Sequence, residues 1–350
     1  MPQRRLGLLV ALLLTASLSC ALPGALPGGQ DDQGEEATVV EEPEAQEAGS
    51  EALPGAGPAP EGTPGEGLKL VFIHHSSGEN WLADENGGLG LALMQHGYFV
   101  SDTNYDWGPA VADLGPIGSF TDTGHWWTWF QGPESDEILQ AVFNESEQHA
   151  GYTRLPADPG GENVIVMFKS CFPNSALEGA PDDPPTTGEN PLRGLDPWSG
   201  AHTVANAKGI YADLLEVFAA HPDKLFIAVT APPLHEDETS PEQAANARAF
   251  NRWLVEEWLA DYPLANVAVF DFYNVLTSNA GSPDEHDGGS EAGNHHRLVD
   301  GEVEYITDQG SDTSAYAYPG DSHPTASGNQ KASEGFVPLL DYLVQRWLGG

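Results

Sequence analysis

The chain has 350 residues, of which 13 are Lys or Arg and 53 are Asp or Glu, a formal charge of −40. A field of that sign repels nucleic acid and anionic lipid surfaces, so neither is expected as a partner. Of the two cysteines, Cys20 falls in a leader-like segment and only Cys171 remains. A lone thiol rules out an internal disulfide and a Cys-built zinc site.

At the start, Arg4 and Arg5 precede the apolar run Leu6 to Leu14, and then comes Ser17-Leu18-Ser19-Cys20. A charged segment followed by a short apolar one reads as an export signal, too short to remain as a membrane span. Cys20 at its end resembles a bacterial lipoprotein box, with lipidation of that thiol; cleavage nearby and plain secretion is the alternative. Residues 21–66 carry 11 acidic residues, no Lys or Arg and no aromatic residue among Pro, Gly and Ala. Such a segment cannot build a core and repels itself, which predicts an extended, disordered tether. Residues 67–350 keep 42 acidic against 11 basic residues, Arg4 and Arg5 being the other two. A segment of that length buries about three-quarters of its unfolded surface in one core without disulfides.

Within this part, helical and strand patterns alternate. Leu68 to Ile73 is a strand, Leu89 to Met94 a helix, Tyr98 to Ser101 a second strand, and Ile138 to Phe143 has helical spacing. Residues 163–168 form a third strand, Tyr211 to Phe218 a helix face, and 224–230 a fourth strand. Ser240-Pro241-Glu242-Gln243 reads as a capping box opening a helix through Trp258, and Asn266 to Phe270 is the fifth strand. Five strands alternating with helices predict a three-layer α/β/α domain around a five-stranded parallel sheet. Residues 176–200 and 277–318 are long irregular loops, rich in Gly and Asp, which are expected to shape a cleft.

In open α/β sheets ligands meet the carboxyl ends of the strands, and the first strand runs directly into His74-His75-Ser76. Ser76 is therefore the candidate nucleophile, and it needs a base. Near the other end stands GDSHPTASGNQ, with Asp321 and His323 ahead of a long amphipathic helix. VFIHHS, GDSHPTASGNQ and VAVFDFYNVL together resemble the SGNH (GDSL-like) hydrolase superfamily. That resemblance implies strand order 2-1-3-4-5, SGNH or flavodoxin-like, and an esterase using Ser76, His323 and Asp321. It also implies oxyanion donors at Gly108, after the second strand, and Asn174, after the third. Two positions depart from the family pattern: Asp321 stands two residues before His323 instead of three, and His74-His75 replace Gly-Asp. A turn bringing the Asp321 carboxylate to the ring, or a backbone carbonyl leaving a Ser-His dyad, are the two ways the first departure is accommodated.

His74 and His75 are candidates for the pocket wall, as are Trp126, Trp127 and Trp129, although clustered aromatics more often form core. The rival chemistry is a metal site from His74, His75, His295, His296 and His323 with Asp284, Asp287 and Asp321. Against it, no HExxH is present and adjacent histidines on an extended chain face opposite ways. The expectation is therefore an exported hydrolase acting on an ester, with a glycan-borne acyl group as one substrate class. It carries no metal and no cofactor, and meets the membrane only through an N-terminal lipid. A surface module that binds glycan through its Trp cluster without turnover is the competing expectation.

Overall fold

The computed structural model describes residues 62–112, 114–277, 296–299, 302–305 and 316–349. The chain divides into two units, residues 1–52 and 53–350, and every described residue belongs to the second. The leader, Cys20, most of the acidic tether, and Asp284, Asp287 and His295 lie outside the described residues, as does the side chain of His296. The tether was expected to run to residue 66. Residues 62–66 instead form turns against the body of the domain, where the Gly65 N–H donates to the His96 carbonyl at 3.0 Å.

Five strands build the central sheet: β1 (Lys69–Ile73), β2 (Phe99–Thr103), β3 (Ile165–Lys169), β4 (Leu225–Val229) and β5 (Val267–Phe270). All are parallel and their order is β2-β1-β3-β4-β5, the flavodoxin-like arrangement. Every residue of the five is buried, which accounts for continuous apolar runs in place of alternation. Successive side chains point to opposite faces, so each strand feeds two cores. Leu70, Phe72, Met167, Ile227 and Phe270 pack beneath α1 (Ser76–Leu82), α2 (Leu89–Gln95), α7 (Phe272–Thr277) and α8 (Ala326–Gly349). Val71, Ile73, Phe168 and Phe226 pack beneath α3 (His125–Phe130), α4 (Ser135–Asn144), α5 (Val204–Ala220) and α6 (Pro241–Glu256). The three-layer α/β/α architecture follows.

The start of α6 follows the predicted signature in part. Ser240 Oγ accepts from the Gln243 N–H at 3.1 Å with Pro241 at the first helical position, but the Gln243 side chain reaches to Glu178 and does not close the box.

A short hairpin, β6 (Ala317–Tyr318) and β7 (Asp321–Pro324), precedes α8. Its two-residue turn is Pro319-Gly320 with Gly320 at φ +75°, the left-handed conformation glycine adopts without steric cost. Residues of β7 alternate. Ser322 is buried, accepts from the His235 N–H at 2.9 Å and donates to the Glu238 carboxylate, which ties the hairpin to the loop after β4; Asp321 and His323 face the other way.

Candidate active site

The strand-to-helix turn after β1 determines where Ser76 stands. His75 is extended (φ −126°, ψ −157°) and α1 begins at Ser76, so the hydroxyl is carried at the first turn of a helix just beyond the carboxyl end of β1. That turn lies so close to β1 that a Cβ on Gly78 would collide with the His74 side chain and stand 2.7 Å from its Cγ. Only glycine fits there.

From the far end of the chain, β7 brings His323 to the same place. Ser76 Oγ lies 2.7 Å from His323 Nε2, although 247 residues separate the two. His323 Nδ1 lies 2.6 Å from Asp321 Oδ1, and that same oxygen accepts the His323 backbone N–H at 3.0 Å. The two-residue spacing therefore works through a turn: the carboxylate folds back over its own strand and takes both donors, as Asx turns do. Of the two accommodations expected, the carboxylate on the ring is the one realised. An Nδ1–H donated to Asp321 leaves Nε2 as the acceptor facing the serine, the tautomer a general base requires. Burial alone would raise the Asp321 carboxyl, but the His323 N–H and ring outweigh it and hold it below its ordinary value. The carboxylate therefore stays charged through mild acid.

Around this triad stand groups that sequence reasoning missed. Cys171 Sγ is 2.9 Å from Ser77 Oγ and 3.8 Å from Ser76 Oγ, and the Phe172 ring meets the His323 ring edge-on at 4.8 Å. Both belong to the loop after β3, which the sequence placed on the correct rim while pointing to a different residue in it.

Asn174 is that residue, and the structure gives it another task. It is buried; its amide donates to Asp122 Oδ1 (2.8 Å) and to the Cys171 carbonyl (3.1 Å), while its oxygen accepts the Thr123 N–H (2.8 Å). With both hydrogens committed, it has none for an oxyanion. Gly108 occupies an exposed turn at φ +84°, and Gly118 is the loop glycine in hydrogen-bond contact with His75. Gly118 presents its carbonyl, accepting from His75 Nε2 at 2.6 Å, while its N–H donates to Trp107. The Ser76 N–H, at the first position of α1, has no hydrogen-bond partner among the described residues. It is the backbone donor left for developing negative charge beside the hydroxyl.

The adjacent histidines diverge as extended geometry requires. His74 is fully buried against Asp102 and does not line a pocket. His75 is half-buried and stacks on the exposed ring of Tyr105 at 4.1 Å. Burial pushes the His75 imidazole down to about 4, so it is neutral around pH 7. The Trp cluster is core: Trp126 and Trp129 are completely buried and donate to Ser170 Oγ and the Phe120 carbonyl, and half-buried Trp127 lies under the Arg193 guanidinium. It offers no stacking platform, which removes the feature on which the glycan-binding module rested. Among the described residues no three His, Cys, Asp or Glu side chains are grouped to hold a metal ion.

No family model matches the chain, and no curated protein matches it. Among solved structures, the crystal structure of Clostridium botulinum phage c-st TubZ is similar at 12% identity and a TM-score of 0.28, covering 60% of this chain and 52% of that one. A likeness that distant carries no argument about the site.

Proposed function

We propose that this chain is an exported serine hydrolase of SGNH type that cleaves a carboxylic ester, a glycan-borne acyl group being one substrate class, and that it is either tethered by a lipid on Cys20 or secreted. The observation that supports the chemistry is the 2.7 Å approach of Ser76 Oγ to His323 Nε2, with Asp321 on the opposite ring nitrogen. Ser76 Oγ attacks the acyl carbon as its proton passes to Nε2, and the tetrahedral oxyanion is held by the Ser76 N–H. His323 then returns the proton to the departing alcohol, leaving an acyl-serine. Water repeats the sequence: it loses a proton to Nε2, attacks the acyl carbon, and the proton goes back to Ser76 as the acid leaves.

A fluorophosphonate probe tests this directly. Wild type becomes labelled, while Ser76→Ala and His323→Ala do not. Asp321→Asn lowers the rate about 10² to 10⁴-fold, the upper end being the loss seen when a buried triad carboxylate is neutralised. Absence of labelling in folded wild type sinks the proposal.

A further inference from the structure

Beneath the nucleophile lies a second His/Asp pair that the mechanism above does not use. His74 and Asp102, at the ends of β1 and β2, are both completely excluded from solvent. His74 Nε2 is 3.1 Å from Asp102 Oδ2 and Nδ1 is 2.9 Å from the His75 carbonyl oxygen. Both ring nitrogens thus face oxygen acceptors, which a ring with a proton on each nitrogen satisfies. The other Asp102 oxygen accepts from the His149 N–H (2.8 Å) and the Tyr152 hydroxyl (2.9 Å). Burial would raise this carboxyl, yet those donors and His74 hold it below its ordinary value, so it is an acceptor throughout.

The His75 carbonyl is the point on which α1 closes. It receives the Gly78 N–H at 2.8 Å and the Glu79 N–H at 2.9 Å, the first two bonds of the helix that carries Ser76. The His74 ring supplies a third donor to that oxygen and is also the surface on which Gly78 rests without a Cβ. Polar groups buried this completely are costly unless hydrogen-bonded and are a poor way to gain stability alone. One of the pair's hydrogen bonds here ends on the His75 carbonyl, one residue from the reacting hydroxyl.

We propose that His74, oriented by Asp102, is a positioning residue for the nucleophile, its Nδ1–H holding the His75 carbonyl so that the first turn of α1 sets Ser76 against His323. Only the consequence for catalysis rests on the serine-hydrolase reading; the hold on the turn does not.

Two amides separate positioning from simple burial. In His74→Asn the amide nitrogen takes the place of Nδ1 and donates to the carbonyl, while Asp102 Oδ2 loses its partner. In His74→Gln the amide reaches Asp102 and the carbonyl is left without its third donor. The Asn variant is expected to melt lower, yet to label with fluorophosphonate within about threefold of wild type and to keep slow hydrogen exchange at the Gly78 and Glu79 amides. The Gln variant is expected to melt closer to wild type, yet to label and protect those amides at least about tenfold less well, the scale of one hydrogen bond. Asp102→Asn, whose amide donates to Nε2 and leaves Nδ1–H on the carbonyl, keeps both readouts within about threefold. The proposal is overturned if the Gln variant retains wild-type exchange, if Asn and Gln are slowed equally, or if Asp102→Asn exposes Gly78 and Glu79 as much as His74→Gln does. Should wild type fail to label, the hydrolase reading falls, and exchange at those two amides still decides whether His74 holds the turn.

Discussion

Asn174 lies two residues beyond Phe172, and its polar atoms join the loop after β3 to the segment before α3 through Asp122, Thr123 and the Cys171 carbonyl. Removing the side chain leaves buried groups unpaired, at about 1 to 3 kcal/mol, without touching the reacting atoms. Asn174→Ala is therefore expected to lower stability in urea by that amount and to keep kcat within a few-fold. A loss of hundreds-fold in kcat with unchanged stability would return Asn174 to the oxyanion site. The contrast with the triad shows what a residue's identity discloses. That Ser76, His323 and Asp321 would meet was legible because hydroxyl, imidazole and carboxylate come together in few combinations and their chain positions resemble a known pattern. An amide in a loop is defined by its partners, here 51 and 52 residues away, and nothing local announces them. The same holds for Cys171, a lone thiol in the sequence that folding sets beside the two serines.

At the scale of elements, the strands and most helices were legible from periodicity and length, because burial on both faces of a parallel sheet enforces long apolar runs. The hairpin was not. Asp321–Pro324 offers one apolar residue in four and pairs with only two residues, so its extended form is imposed by Ser322's bonds to His235 and Glu238 and by the Pro319-Gly320 turn. This short element carries both Asp321 and His323, which makes its turn a sensitive point. Gly320→Ala places a Cβ at φ +75°, at a cost of about 1 to 2 kcal/mol, with open space around it. The expected result is a small fall in melting temperature and a larger fall in kcat, as the turn relaxes and moves Asp321 and His323 together. Equal and small effects on both would show that Ser322 alone fixes the hairpin.

For the molecule as a whole, two titratable groups shifted by burial pull stability against pH in opposite directions. His75, which burial pushes down to about 4, stays neutral in the folded chain between pH 6.5 and 4 while the unfolded chain takes up a proton there. Acidification through that window therefore favours unfolding. Asp271, just beyond β5, is pushed up to about 6 because burial outweighs its bonds to Asn274 and Thr230 and the nearby Arg248 charge. The folded chain takes up that proton between pH 6 and 4, before the unfolded chain does, so acidification through the same window favours folding. Displacements of that size correspond to on the order of 3 kcal/mol each, and in wild type these two contributions offset one another. Single substitutions expose the two halves. Measured by urea denaturation at pH 4.5 and 7, Asp271→Asn gains stability relative to wild type as pH rises, and His75→Asn loses it. Parallel pH dependences for both variants would mean that these two groups do not carry the acid response, and the carboxylates paired elsewhere would have to.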